Sequence, residues 1–228
     1  MKGPTTIIHL PILIAIAVLL ARCDPSWIRD DDPDETVIWP LTEGSFWELQ
    51  AEISGRTVIN RAEVTRSVKL PNGAEGQVVR WFRGDQALSE VEAVFTNDAD
   101  GYYSLGAFSG PDTITQRLRY LPFPGVIGET GHVAEYWVDD GKLVVIDTTL
   151  YTLTNVDTTI STPLGQFNCY EFTRVIEFDD VAQDWIVCEY YSPNFGPVKT
   201  VVRNEEAPPD QPLFVYTLSR TNVDFTAK

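Results

Sequence analysis

Asp140-Gly141, set between Val138 and Lys142, is the two-residue signature of a tight hairpin, and turns of this kind punctuate the whole chain. Ser54-Gly55, Pro71-Asn72-Gly73 and the stretch from Asn97 to Gly101 are others. The runs between them are rich in Val, Thr and aromatic residues, as strands are. They cover 45–53, 57–70, 77–82, 87–96, 102–105, 131–138, 143–155, 167–178, 184–191, 197–203 and 213–223. After the first twenty-odd residues, no stretch repeats an apolar stripe at i, i+3, i+4 and i+7 for three turns. The sequence therefore predicts an all-β fold, an antiparallel sandwich or an open or half barrel of about 10–11 strands. Six Trp, nine Tyr and eleven Phe supply large side chains for its core. The run 57–70 carries Val58, Val64 and Val68 among polar residues, and Leu88, Val91 and Val94 are core candidates in 87–96.

A faint internal echo accompanies the strands. Trp39-Pro40 with Gly44 returns as Phe123-Pro124 with Gly128, each ahead of a strand, and Gly76-Gln77 returns as Gly165-Gln166, each opening one. Two similar halves on one plan would share a continuous sheet and core.

The N-terminus carries a different signal. Lys2 is the only charge ahead of an apolar run from Ile7 to Ala21, which is too short for a comfortable membrane span and fits the core of an export signal. Leu20-Ala21-Arg22-Cys23 resembles the lipobox of bacterial lipoproteins, with Arg22 where that pattern has a small residue. The resemblance implies a leader over residues 1–22, removed as Cys23 is acylated, and a chain attached to a membrane by that lipid. Cleavage as an ordinary secretory signal, or retention as an anchor helix, are the other readings; Pro11 and His9 count against the helix. All of them place the remaining chain outside the cytoplasm. Residues 23–36, with five acids among Asp30–Glu35 around Pro33, read as an acidic solvated tether. Residues 37–228 read as one β-rich domain.

Two further segments resemble poorly characterised bacterial β-rich lipoproteins. Trp39-Pro40-Leu41-Thr42-Glu43-Gly44-Ser45-Phe46-Trp47 is close to a P-L-x-x-G-x-x-W opening. The run from Tyr190 to Lys199 is close to a Y-Y-A-P-G-V-G-L-V-K closing, with Ser192, Asn194, Phe195 and Pro197 replacing four residues. The likeness implies an envelope lipoprotein and assigns no activity. Physically, the closing segment is a strand end, a turn and a return strand. A loop presenting Tyr190, Tyr191 and Phe195 to a ligand is the functional alternative.

Cysteine usage fits export. With Cys23 acylated, Cys169 and Cys188 form an even pair on two runs joined near Asp179-Asp180, and a disulfide between them is expected.

Familiar catalytic patterns are missing from the sequence. His132 is the single histidine after the leader, no Gly-x-Ser-x-Gly elbow occurs, and no phosphate-cradling glycine loop or dinucleotide fingerprint is present. One histidine without a spare cysteine does not make an ordinary zinc site, so no metal and no cofactor are expected. Thr96–Gly101 has acids at two places of a calcium loop but lacks its first ligand and its closing glutamate, and reads as a turn. The net charge of −16 argues against nucleic acid as a partner. The expected function is a non-enzymatic envelope protein whose β domain binds an apolar small molecule or an envelope protein partner. A hydrolase using His132 or the pairs Asp139-Asp140 and Asp179-Asp180, and a structural envelope protein, are the alternatives.

The lipobox reading predicts that Cys23→Ser abolishes incorporation of labelled fatty acid and releases the protein from membranes. A wild-type protein that takes up no label overturns it.

Overall fold

The computed structural model describes residues 37–177, 184–208 and 210–223. The leader over residues 1–22, Cys23, the acidic tether over 23–36 and the Asp179-Asp180 turn lie outside the described residues.

The chain forms β1 (Phe46–Ile53), β2 (Arg56–Lys69), β3 (Glu75–Arg83), β4 (Gln86–Ala87), β5 (Glu92–Asp98), β6 (Gly101–Ser109) and β7 (Asp112–Pro122). It continues through β8 (Thr130–Asp139), β9 (Lys142–Thr162), β10 (Gly165–Ile176), β11 (Trp185–Ser192), β12 (Gly196–Asn204) and β13 (Phe214–Thr221). All belong to one 13-stranded antiparallel sheet in the order β7-β6-β5-β3-β2-β1-β13-β12-β11-β10-β9-β8, with β4 beside β3. The expected all-β antiparallel fold is present, as a sheet coiled into a nearly closed barrel.

The order itself is two meanders. One runs from β1 to β7 and the other from β8 to β13, and they join where the first strand pairs with the last, Leu49 opposite Leu218. The sequence echo falls at equivalent points of these halves. Gly44 N–H donates to the Val64 carbonyl (2.8 Å), Val64 N–H to Ser45 (2.9 Å) and Ser45 N–H to Thr42 (3.0 Å). In the second half Gly128 N–H donates to Leu153 (2.8 Å), Leu153 N–H to Glu129 (2.9 Å) and Glu129 N–H to Val126 (3.0 Å). Gly44 at φ +83° and Gly128 at φ +92° make the same left-handed turn, which side chains resist. Gly76 and Gly165 likewise open the third strand of each half.

The sheet's free margins, β7 and β8, lie side by side. Gly131 on β8 sits against the Tyr120 backbone so closely that a Cβ there would collide with the Tyr120 carbonyl. Arg119 on β7 reaches across to Glu129 (2.6 Å). A seam held by side chains thus closes the sheet where no strand ladder is formed among the described residues.

Several expectations need correction. β7 is an addition to the expected strands, and its register against β6 shifts between Thr115 and Leu118. The run 87–96 splits, and Leu88 is exposed where β4 ends. Val94 is fully buried as expected, and so is Val64 on β2. Cys169 and Cys188 are free, buried thiols and not a disulfide. Their strands do pair, but Thr173 stands opposite Cys188 and Tyr170 opposite Tyr191, which puts Cys169 about four residues along. An offset of roughly 13 Å is beyond the reach of a bridge.

The deepest packing gathers at the end of the barrel where residue 37 arrives. Trp39 stacks on Tyr102 (5.4 Å) and meets Trp47 edge-on (5.4 Å) and Tyr191 (5.9 Å). Trp47 Nε1 donates to the Phe195 carbonyl (2.6 Å), and Asn194 N–H to Val37 (2.8 Å). The opening and closing segments singled out in the sequence therefore touch. Gly196, at φ +101°, is the hinge of that contact, since a Cβ there would lie 2.8 Å from Trp39 Cδ1. Gly196→Ala is expected to lower stability by about 2–4 kcal/mol through strain and overpacking. That corresponds to a melting-temperature drop of roughly 5–15 °C for a domain this size. Thermal melting within a degree of wild type would show that the junction does not carry the fold.

Candidate functional site

Alternation along the strands decides what faces the barrel interior. On β11 the inward row is Val187, Glu189 and Tyr191, and on β10 it is Phe172 and Arg174. Tyr151 on β9 continues the Arg174 row, and Glu189 continues through Thr200 to Tyr216 on β13. Most of these positions bury apolar or aromatic groups, as a closed sheet requires. Glu189 and Arg174 are charged residues in apolar places.

They border a cavity of about 470 Å³. Trp39, Phe95, Tyr120 and Tyr191 line its inner part, toward the end where the chain arrives. Asn60, Trp81, Ser89, Tyr136 and Tyr216 line it toward the opposite end, so the barrel is stoppered by Trp39 and opens away from residue 37. Lining atoms come from both halves, and no single strand or loop forms the site.

Its polar groups make a small network. Arg174 Nη1 donates to Glu135 Oε1 (2.8 Å), and the guanidinium lies over the Tyr151 ring (5.3 Å). Arg174 Nε is buried without a hydrogen-bond partner. Tyr191 donates its hydroxyl to Glu189 Oε2 (3.0 Å). The Tyr151 hydroxyl feels both Tyr120 and Glu189 electrostatically but makes no well-aligned hydrogen bond. Tyr136 and Ser104 share a hydroxyl contact (3.2 Å) that spans the β7–β8 seam from β8 to β6.

Ionisation follows burial. The Tyr191, Tyr151 and Tyr120 hydroxyls are all raised, first by burial and next by the Glu189 carboxylate. Part of the Tyr120 ring opens onto the cavity while its hydroxyl is shielded from bulk water. Burial opposes the charge of Arg174, but Tyr151, Glu189, Tyr120 and Glu135 outweigh it and keep the guanidinium protonated. Burial also pushes the Cys169 thiol up to about 12, which removes it as a nucleophile at neutral pH.

The residues expected to form a site are dispersed. His132 is exposed on β8, pointing away from the cavity while Val133 points in. Asp139 and Asp140 are exposed in the β8–β9 hairpin turn. Among the described residues no three His, Cys, Asp or Glu side chains gather to hold a metal ion. In the calcium-like segment, Asp98 pairs with Arg117 (2.5 Å) and Asp100 accepts the Tyr103 hydroxyl (2.7 Å). Of the Tyr190, Tyr191 and Phe195 loop, only Tyr191 reaches the cavity. Phe195 is buried against Phe167 (4.8 Å) and presents nothing outward. The interior pair, Arg174 and Glu189, carried one legible sign in sequence, a charge at the inward parity of an alternating strand.

No protein-family model matches this chain, and no curated protein sequence matches it significantly. Its fold is similar to that of a candidate lipoprotein from Parabacteroides distasonis, at 13% identity and a TM-score of 0.50, over 82% of this chain and 98% of that one. It is also similar to a candidate exported protein with a YmcC-like fold from Bacteroides fragilis, at 15% identity and a TM-score of 0.50, over 82% of this chain and 99% of that one. At such identities the shared property is the fold.

The raised tyrosines predict an alkaline limit. An unfolded tyrosine ionises near 10, so above that pH the unfolded state sheds protons that the native state keeps. Stability then falls as pH rises, by about 1.4 kcal/mol per unit for each tyrosine held protonated. Urea midpoints should hold to about pH 9–10 and decline beyond it. Tyrosinate absorbance should show a group of tyrosines ionising only on unfolding. Ionisation of all nine tyrosines in a protein that is still folded would contradict the burial.

Proposed function

We propose that this chain is an exported cell-envelope protein, held at a membrane by a lipid on Cys23, whose barrel binds an apolar small molecule in its interior. The observation that carries the binding role is the cavity. Its volume of about 470 Å³ falls in the range of small-molecule sites, and aromatic walls with a few convergent polar groups are the usual lining. The export role is supported by the apolar run before Cys23 and by the two fold neighbours, one described as a candidate lipoprotein and one as a candidate exported protein.

The architecture suits such a task. Trp39 and its ring partners fix one end of the barrel, and the opening lies at the other. A ligand entering there meets Trp81 and Tyr216 before it reaches Phe95 and Tyr120. Burying an apolar body among these rings contributes about 25 cal/mol per Å² removed from water. A rigid pocket loses little conformational freedom on binding.

A solvent-sensitive apolar dye, 1-N-phenylnaphthylamine, tests the reading. The protein is expected to enhance its fluorescence saturably at one equivalent. Ala62→Phe, which fills the cavity from β2, should weaken binding about tenfold or more by occupying the dye's volume. Ala93→Leu is a milder filling from β5, two strands along the same wall, and should act in the same direction. A wild-type protein that binds no apolar probe, or folded filling variants with unchanged affinity, would overturn the cavity as the binding site.

A further inference from the structure

We propose that the cavity selects an organic cation, a protonated amine or quaternary ammonium with an apolar body, whose charge rests at Glu189. The inference builds on the cavity's role as a ligand site and names the chemistry that this site recognises.

Three charged side chains face the cavity: Glu135, Arg174 and Glu189. Arg61 also borders it, but its guanidinium is committed to Glu63 (2.7 Å) and lies over the Phe46 ring (4.5 Å). Arg174 is likewise committed, to Glu135 at 2.8 Å. Glu189 has no cation in ion-pair contact among the described residues, and its hydrogen bond comes from the neutral Tyr191 hydroxyl. At the cavity two carboxylates thus face one guanidinium, which contacts half-exposed Glu135 and feels Glu189 at a distance, so one negative charge is left over and Glu189 is the carboxylate without a contacting cation.

The surroundings of that carboxylate are rings. Tyr191 holds it directly, and Tyr120 and Tyr151 lie near enough to feel its charge. Tyr216 stands in the same inward row, across Thr200. Aromatic faces are electron-rich and attract cations, most strongly where water is excluded. A carboxylate beside an aromatic-walled cavity is complementary to an ammonium group. An anion entering the same space would meet Glu189 with Arg174 already paired. A neutral body would gain the apolar walls but leave the surplus carboxylate charge uncompensated. The chain's net charge of −16 raises the local concentration of cations around the opening.

Benzyltrimethylammonium, benzyl alcohol and phenylacetate share one ring and differ in charge. Full-length protein in a non-ionic detergent can be titrated with each, by calorimetry and by the fluorescence of Trp39 and Trp81 in the cavity wall. The cation is expected to bind about tenfold or more tighter than the alcohol, with no saturable binding of phenylacetate. Glu189→Gln keeps an acceptor for the Tyr191 hydroxyl and is expected to fold. It should remove the preference for the cation and leave the alcohol's affinity unchanged. Tyr216→Leu should weaken the cation more than the alcohol, and Glu75→Gln, exposed beside Lys69 away from the cavity, should change neither. Phenylacetate binding as tightly as the cation, or a cation preference that survives in folded Glu189→Gln, would overturn the inference. If the alcohol and 1-N-phenylnaphthylamine bind while the cation shows no preference, the cavity stands and the charge selection fails. If nothing binds, both fail.

Discussion

A sheet that coils into a barrel must bring its first and last strands together, and here that closure rests on one junction of rings. The β1–β13 pairing joins residues more than 160 positions apart, a contact that loop-closure entropy opposes until packing rewards it. The reward is Trp47, fully buried on β1, whose indole donates to the Phe195 carbonyl just before β12. Trp39 completes the junction by lying across the barrel end on Tyr102 and Tyr191, which belong to opposite halves. Asn97, at the end of β5, donates to the Trp39 carbonyl (2.9 Å) and fixes that segment from the first half as well. Gly196 is the position at which a side chain would deny the two tryptophans their place.

The two halves repeat the same lead-in and spend it differently. In the first, the aromatic residue before proline is Trp39, which occupies the barrel's axis and closes it. In the second it is Phe123, which packs on Tyr170 (5.0 Å) beside the seam. The hydrogen-bonded turn is common to both, so the backbone plan is set by Gly44 and Gly128 and the side chain is free to diverge. Val126 and Ile127 are strongly exposed in the second turn, where Thr42 and Glu43 stand in the first. Folding places no demand for apolar groups at that position. The asymmetry that makes a cup from two similar meanders is therefore local, one stoppered end and one open end.

Much of this was legible in the residues. Turn chemistry is local, so Asp140-Gly141 and Pro71-Asn72-Gly73 announced their hairpins directly, and the repeated Pro and Gly spacing announced the two halves. Strand pairing at a distance is not local. Nothing in the Cys169 and Cys188 segments reveals which residues stand opposite, and a shift of four positions separates a disulfide from two free thiols. Phe195 misled for the same reason, because its turn is ordinary and its burial depends on Phe167 and on Trp47, far away in sequence. The site was the least legible part. Glu135, Arg174 and Glu189 lie on β8, β10 and β11, and each resembles a solvated strand residue until alternation is traced through a closed barrel.

Interior charge is costly, and that cost bears on what the cavity is for. An apolar side chain at position 189 would pack among Tyr151, Tyr191 and Phe172 without desolvating a carboxylate, and such replacements are often neutral or stabilising. The Arg174–Glu135 pair offsets part of its own penalty, since Glu135 is half-exposed and the guanidinium rests on the Tyr151 ring. Glu189 makes no ion pair of its own among the described residues; it accepts the Tyr191 hydroxyl and feels the Arg174 charge only at a distance. Burial first, and the Glu189 charge next, hold three neighbouring tyrosines away from ionisation, so the site keeps neutral hydroxyl donors beside that carboxylate. A barrel selected for stability alone would have filled this space with aliphatic residues. Keeping it open, ring-walled and negatively charged makes physical sense where the missing volume and the missing counter-charge are supplied together, by one molecule that carries both.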